Sequence, residues 1–417
     1  MTVETWKPLE VVILGGGLGG LSCGIALRNN GHKVRIYERY DYAGEVGASL
    51  SCASNGGRWL HDWGIDPLDS KPVILKRLIK HNWNTGNITD EYDLGDYAAK
   101  FGFPYYNFHR IDLHTVLMDK ATSSEGKGEP CELILNHKAV NIDYEKGHIV
   151  FENGEETSAD LIVAADGIRS LTREQLGLVP NFKLADSSCI RVLFDTEKVR
   201  SKGLQDFSTN DAIEFWGGEN KYKIVLSPCS NNEVVSCYCF FDAGKEDLDS
   251  GWNNTVSIEK LNASLPNLDP NLKRLFIECG YDIKQWRLYI HQPLPFFYNT
   301  SQDGLKGTVL LGDAAHPMMP DQSQGAVSAF EDSGALGYIF SKKFNLTVKQ
   351  GLKIYELVRK PRVTKIQAAS LRARENLNER IGWSTNSLKD VNKLTIEEVC
   401  GYDMKSHIDG LIEKEKF

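Results

Sequence analysis

The sequence predicts an α/β fold: a mostly parallel sheet with helices, interrupted by an inserted, mainly antiparallel sheet and followed by C-terminal helices. Three observations predict it. The stretch EVVILGGGLGGLSCGIALRNNGHKVRIYER, residues 10–39, reads as strand, glycine turn, helix and strand. Two later apolar runs, ADLIVAADG and GTVLLGD, read as buried strands that end in an acid beside a glycine. Between them CIRVLFD, AIEFWGG, YKIVLSP and VVSCYCFFD are spaced like strands of a separate sheet with no helix between them.

Taken in order, the first βαβ unit is followed by a Gly- and Ser-rich stretch and a helix around GGRWLHDWGI. FHRIDLHTVLMDKAT has Leu113, Val116 and Leu117 at helical spacing. CELILNHKAVNIDYEKGHIVFENGEETS alternates in strand fashion between turn residues, a meander that leads back to the first sheet. A helical segment near 256–279 precedes the return strand at GTVLLGD. GAVSAFEDSGALGYIFSKK is helical, and YELVRKPRVTKIQAASLRARENLN is a long amphipathic stretch interrupted at Pro361. The division expected is 1–178 and 286–345 for the nucleotide-binding domain, 179–285 for the inserted sheet, and 346–417 for the helical end.

At 417 residues, 41% hydrophobic and 25% charged, the chain has the composition of a globular protein with room for two cores. A net charge of -8 without a basic stripe argues against nucleic acid as a partner. The acid and proline in MTVETWKP argue against a secretory signal, and no run approaches the roughly 20 apolar residues of a membrane span. Nine scattered cysteines, never in a C-x-x-C pair, read as reduced thiols of a cytoplasmic protein. No metal is expected, since His109 and His114 lack the helical spacing of ligands.

Gly15-x-Gly17-x-x-Gly20 follows a strand and opens a helix, the Rossmann-like context for a dinucleotide. The first glycine permits the turn, the second a close backbone approach to pyrophosphate, and the third tight helix packing, with phosphate at the helix N-terminus. Glu38 ends the second strand where a carboxylate accepts from a ribose diol. Asp166-Gly167 ends a second strand, although such a pair is also a common turn. Asp313 ends a third. Ligands of open α/β sheets bind beyond the carboxyl ends of strands, so one extended nucleotide touching all three acids is the economical reading.

The combination of G-x-G-x-x-G, AADGIRS and GDAAHPMMP....QGA...FED resembles the single-component, group A FAD-dependent aromatic hydroxylases, above all their salicylate-hydroxylase-like branch. ERYDYAGEVGASL, FHRIDLHTVL and YELVRKPRVTKIQ extend the likeness over nearly the whole chain. The resemblance implies a glutathione-reductase-type FAD domain with an inserted substrate sheet. It implies non-covalent FAD held by Gly15, Gly17, Gly20, Glu38, neighbouring Arg39, Arg110, Asp166, Gly167, Asp313, Pro320, Gly325 and Ala326, with Arg169 in the motif that serves both nucleotides. Asp313 would take the ribityl chain, and the helix start at Gly325-Ala326 would lie at the flavin's pyrimidine edge. Relatives commonly read Pro-x-x-Gly-Gln-Gly where this chain has Pro320-Asp321-Gln322-Ser323-Gln324-Gly325, so positive φ at that position would strain Ser323.

The activity implied is NADPH- or NADH-dependent hydroxylation of a small phenolic or bicyclic aromatic by O2, through a flavin C4a-hydroperoxide, in a monomer or homodimer. Arg191 and Tyr222 are the substrate contacts expected on the inserted sheet; alternatively, Arg191 makes an ion pair and Tyr222 packs. Phe215, Trp216, Tyr238, Phe240 and Phe241 are candidates for an aromatic wall or for core. His316 is expected to be structural. Epoxidation or Baeyer-Villiger oxidation stays open on the same scaffold, as does a non-catalytic partner-binding role. A halogenase is disfavoured because no W-x-W pair occurs.

Overall fold

The computed structural model describes residues 6–41, 48–179, 181–218, 222–244, 254–381 and 393–415. A six-stranded sheet runs in the order Tyr298–Thr300, Gly307–Leu310, Leu161–Ala164, Glu10–Leu14, Lys33–Tyr37, Glu132–Ile134, parallel throughout except at the Tyr298–Thr300 edge. Its central strands are apolar on both faces because both are covered. Val11, Ile13, Leu161 and Val163 pack with the helices Leu18–Arg28, Arg110–Thr122 and Gly325–Ile339. Val12, Leu14 and Ile162 meet Ile142, Ile149 and Phe151 of the meander.

The second sheet has eight strands, in the order Asn254–Thr255, Tyr281–His291, Phe182–Asp195, Val234–Asp242, Lys223–Cys229, Ala212–Gly217, Arg77–His81, Ile88–Asp93. Two of its strands come from before residue 179, which corrects the linear division of the chain. Arg77–His81 pairs in parallel with Ala212–Gly217, a register set by contacts some 135 residues apart that local patterning does not carry (Ala212 against Arg77). The strand Tyr281–His291 likewise crosses the expected boundary at 285, and a short helix, Thr196–Ser201, interrupts the run of strands. One face of this sheet packs Ile190, Val192, Phe194, Trp216, Ile224, Leu226 and Phe241 beneath the helices Ile258–Ala263 and Pro270–Cys279. The opposite face turns toward the first sheet.

The expected break at Pro361 is absent: Val348–Glu375 is one helix of 28 residues, started by a Thr347–Gln350 capping box. An interior proline costs about 3 kcal/mol. Here Pro361 and Leu357, whose carbonyl loses its donor, are both exposed, so water can satisfy that carbonyl. On the buried side Arg359 and Arg362 anchor the helix to Glu331 at 2.7 Å each.

Candidate active site

A cavity of about 480 Å3 lies between the carboxyl ends of the parallel strands and the inner face of the antiparallel sheet. Gly17, Arg110, Gly167, Asp313, Pro320, Gly325 and Ala326 line one side of it. The motif glycines divide their roles. A Cβ on Gly15, at φ +108°, would sit 2.3 Å from the Ala165 carbonyl oxygen, and one on Gly20 would sit 1.9 Å from that of Gly15. These two serve packing. Around Gly17 and Gly325 a Cβ would meet nothing within 4 Å, so backbone is presented to open space. Each helix start there lacks a side-chain cap, leaving N–H donors and the positive end of the dipole toward the cavity.

Glu38 holds the turn together, accepting from the Gly16 N–H at 2.7 Å and the Tyr40 N–H at 3.0 Å. Arg39 lies apart from the main cavity, over the Tyr40 ring and beside Asn136, Lys138 and Asn153 in a separate depression. Asp166 accepts from the Thr172 N–H and hydroxyl through Oδ2, while its buried Oδ1 has no partner among the described residues. Arg169 is exposed, and Ser170 caps the next helix. The residue that joins the two acid-glycine motifs is Arg173: it donates to the Ile168 carbonyl at 2.6 Å and to the Ala314 carbonyl at 3.2 Å. Nothing in the AADGIRS motif singles this residue out, since it lies beyond the motif in the short helix Leu171–Gln175.

Asp313 opens onto the cavity. Protein crowds it closely enough that burial raises its pKa, opposed by His316, Arg110 and Arg173. Behind it, His316 Nε2 donates to Asp332 Oδ2 at 2.6 Å, the Gly312 N–H donates to the same oxygen at 3.0 Å, and Arg359 donates to Oδ1 at 2.7 Å. His316 is thus a support of the loop. Ser323 adopts the left-handed conformation, φ +53°, so the backbone does require what glycine supplies most cheaply.

The sheet side of the cavity is built by Phe215, Lys223, Val225, Ser227, Tyr238, Phe240 and Trp286, with Met318, Met319 and Arg380 closing it. Strand alternation sorts the aromatic candidates. Phe215 and Phe240 face the cavity, whereas the adjacent Trp216 and Phe241 belong to the core on the other face. The two residues expected to contact substrate are not in the wall. Tyr222 has the wrong parity and packs against Trp83, 5.8 Å between rings, while its neighbour Lys223 points inward. Arg191 shares the inner face but stands one strand beyond Tyr238, where Asp282 captures its guanidinium in an ion pair.

Lys223 is 1% exposed and pairs with Asp321 of the Pro320 loop. Burial lowers its pKa, Asp321 opposes that, and the outcome is about 8. Arg374 reaches the same Asp321 oxygen at 3.3 Å.

A family model described as "FAD binding domain" matches residues 8–370. The chain belongs to that FAD binding domain family. Hispidin-3-hydroxylase of Neonothopanus nambi is 29% identical over 422 residues, covering 97% of this chain and 96% of that protein. 6-Hydroxynicotinate 3-monooxygenase of Pseudomonas fluorescens is 28% identical over 367 residues, covering 87% and 90%. A solved salicylate hydroxylase substrate complex shares the fold with a TM-score of 0.73 at 19% identity, covering 96% of this chain and 97% of that one. The chain is an FAD-dependent flavoprotein monooxygenase.

The residues present fit FAD. Open backbone at Gly17 and Gly325, two uncapped helix starts, the partnerless Asp166 Oδ1 and the cavity-facing Asp313 make a continuous line of donors and acceptors. A diphosphate and a polyhydroxylated chain need that arrangement. In this monooxygenase no helix among the described residues is long and apolar enough to cross a membrane.

Proposed function

We propose that this monooxygenase uses NADPH or NADH and O2 to hydroxylate a small phenolic or bicyclic aromatic substrate in the cytoplasm, as a monomer or homodimer. The observation that carries the reading is the pairing of two unlike walls across one cavity. Phe215, Tyr238, Phe240 and Trp286 stand on the sheet side, and Asp313, Gly325 and Ala326 on the other. Flat apolar faces suit an aromatic ring, and the opposite wall suits the polar edge of a flavin.

FAD, when bound, stores reducing equivalents and activates O2, chemistry that no side chain provides. Gly17 and the start of the helix Leu18–Arg28 would hold its pyrophosphate and Glu38 its adenosine ribose. Asp313 would accept from the ribityl hydroxyls. The helix beginning at Gly325 directs its positive end at the cavity, favouring negative charge there. Burial raises the Asp313 pKa, and His316, Arg110 and Arg173 oppose that rise. The aromatic wall orients the substrate ring and excludes water. Tyr238 donates its hydroxyl to the Ser49 carbonyl at 2.9 Å, which fixes the ring's place in that wall.

The test is steady-state NAD(P)H oxidation by the purified holoenzyme across a panel of phenols and bicyclic aromatic acids. Stimulation by members of that panel supports the reading; a rate indifferent to every aromatic compound removes it.

A further inference from the structure

Arg380 is a cavity residue for which the described residues supply no counter-charge. It is 2% exposed and lies in the cavity wall. Its guanidinium sits 4.9 Å from the Phe215 ring centroid and makes long hydrogen bonds, 3.4 Å each, to Ser323 Oγ and the Ile381 carbonyl. It also reaches Tyr105. Among the described residues no carboxylate pairs with it; the adjacent Glu379 goes to Arg372. Lys223 lies close enough for the two positive charges to repel, and its own partner Asp321 is shared with Arg374. One end of the cavity therefore holds Lys223 and Arg380, with Arg374 behind on the Asp321 carboxylate, whose second oxygen is buried with no hydrogen-bond partner among the described residues.

A desolvated guanidinium with no carboxylate is an unfavourable arrangement unless something negative joins it. The Asp321 ion pair accounts for Lys223, and no carboxylate among the described residues accounts for Arg380. A planar fork of donors over an aromatic ring is well matched to a carboxylate or phenolate on a flat ligand.

We propose that Arg380, with Lys223 beside it, forms an anion subsite at the sheet end of the cavity that holds a negatively charged oxygen of the aromatic substrate, a phenolate or a carboxylate. The proposal rests on the aromatic-substrate reading given above. It makes Arg380 a specificity-determining residue: charge anchors one end of the substrate while Phe215, Phe240 and Trp286 hold the ring, leaving another edge to face Gly325 and Ala326.

The experiment is titration of the FAD-loaded enzyme, read by flavin absorbance, with two matched pairs at pH 8: benzoate against methyl benzoate, and 4-nitrophenolate against 4-nitroanisole. The first pair reports carboxylate and the second phenolate. At least one anion should bind roughly tenfold or more tightly than its neutral partner. Arg380→Met should abolish that preference at unchanged FAD content, and Arg380→Lys should restore most of it. Should Arg380→Met lose FAD, Arg380→Gln gives the same readout, since it keeps hydrogen bonding and lacks charge. Anion preference that survives Arg380→Met or Arg380→Gln overturns the proposal. Equal binding of the anions and their neutral partners, or no binding of either anion, overturns it too. Binding is read without turnover, so an enzyme that prefers anions but oxygenates no aromatic compound refutes the hydroxylase reading alone. Turnover of neutral aromatics without anion preference refutes the subsite alone.

Discussion

Lys223 and Asp321 form an ion pair, buried at both ends, that ties the antiparallel sheet to the loop preceding the Gly325 helix. The two walls of the cavity are thereby held to each other through charge. Removing one partner strands the other. Asp321→Ala should lower stability by about 3–5 kcal/mol, and the double change Lys223→Met with Asp321→Leu should recover part of that loss, the remainder belonging to Arg374 on the same carboxylate. Urea unfolding of the three proteins checks this, and equal losses in the single and double variants would contradict it.

The same lysine sets a pH dependence. Its folded pKa of about 8 lies below the ordinary lysine value near 10.5. Between these values the unfolded chain binds a proton that the folded chain does not, so stability gains a rising contribution as pH climbs through that window. The wild-type-minus-Lys223→Met difference in unfolding free energy should therefore rise between pH 8 and 10. A difference that is constant with pH would contradict the assignment.

Asp332 and Glu331 give the same sign in an acidic window. Burial works against both carboxylates. His316 and Arg359 hold Asp332 at about 2, and Arg362 and Arg359 hold Glu331 at about 2. Their contribution is complete above the unfolded pKa values near 4 and is lost as pH falls toward 2. Asp332→Asn should destabilise by about 3–5 kcal/mol at pH 7 and release FAD, with a smaller penalty at pH 3. Thermal unfolding and flavin content at the two pH values measure this.

Ser323 carries left-handed backbone, which costs a residue with a side chain about 1–2 kcal/mol. Part of that returns to glycine, which loses more conformational freedom on folding. Ser323→Gly should therefore stabilise by about 0.5–1 kcal/mol, and Ser323→Val should destabilise by more than that. A less stable Ser323→Gly would mean that the long contact with Arg380 outweighs the backbone.

Alternation along the strands separates wall from core and makes a pair of kinetic predictions. Trp286→Ala should raise KM for an aromatic substrate by roughly tenfold or more, from lost ring contact. Tyr222→Phe should leave KM unchanged, because that ring packs against Trp83 on the other face. The reverse pattern would place the substrate elsewhere.

Much of this site was legible because its information is local. Gly15, Gly17 and Gly20 follow a strand, and Asp166 and Asp313 end strands, so sequence order alone delivers them to one edge. The sheet wall was less legible, because a shift of one residue exchanges wall for core. Tyr222 was chosen on side-chain chemistry without fixing parity, and Arg191 without knowing that Asp282 would take it. Arg380 lies beyond the long helix, 57 residues from the Ser323 it touches, in a stretch with no periodic pattern that would bring it to a sheet. The strands at 77–81 and 88–93 were also missed: they pair with each other as a local hairpin, but only the distant strand 212–217 brings that hairpin into the sheet.

The most direct measurement is oxygen incorporation under 18O2. With NAD(P)H and an aromatic compound that stimulates its oxidation, the holoenzyme should yield a product containing one added oxygen, labelled from the gas, and Asp313→Ala should fail because it loses FAD. Product whose added oxygen comes from water, or NAD(P)H oxidation that yields only hydrogen peroxide with every aromatic tested, would contradict the account.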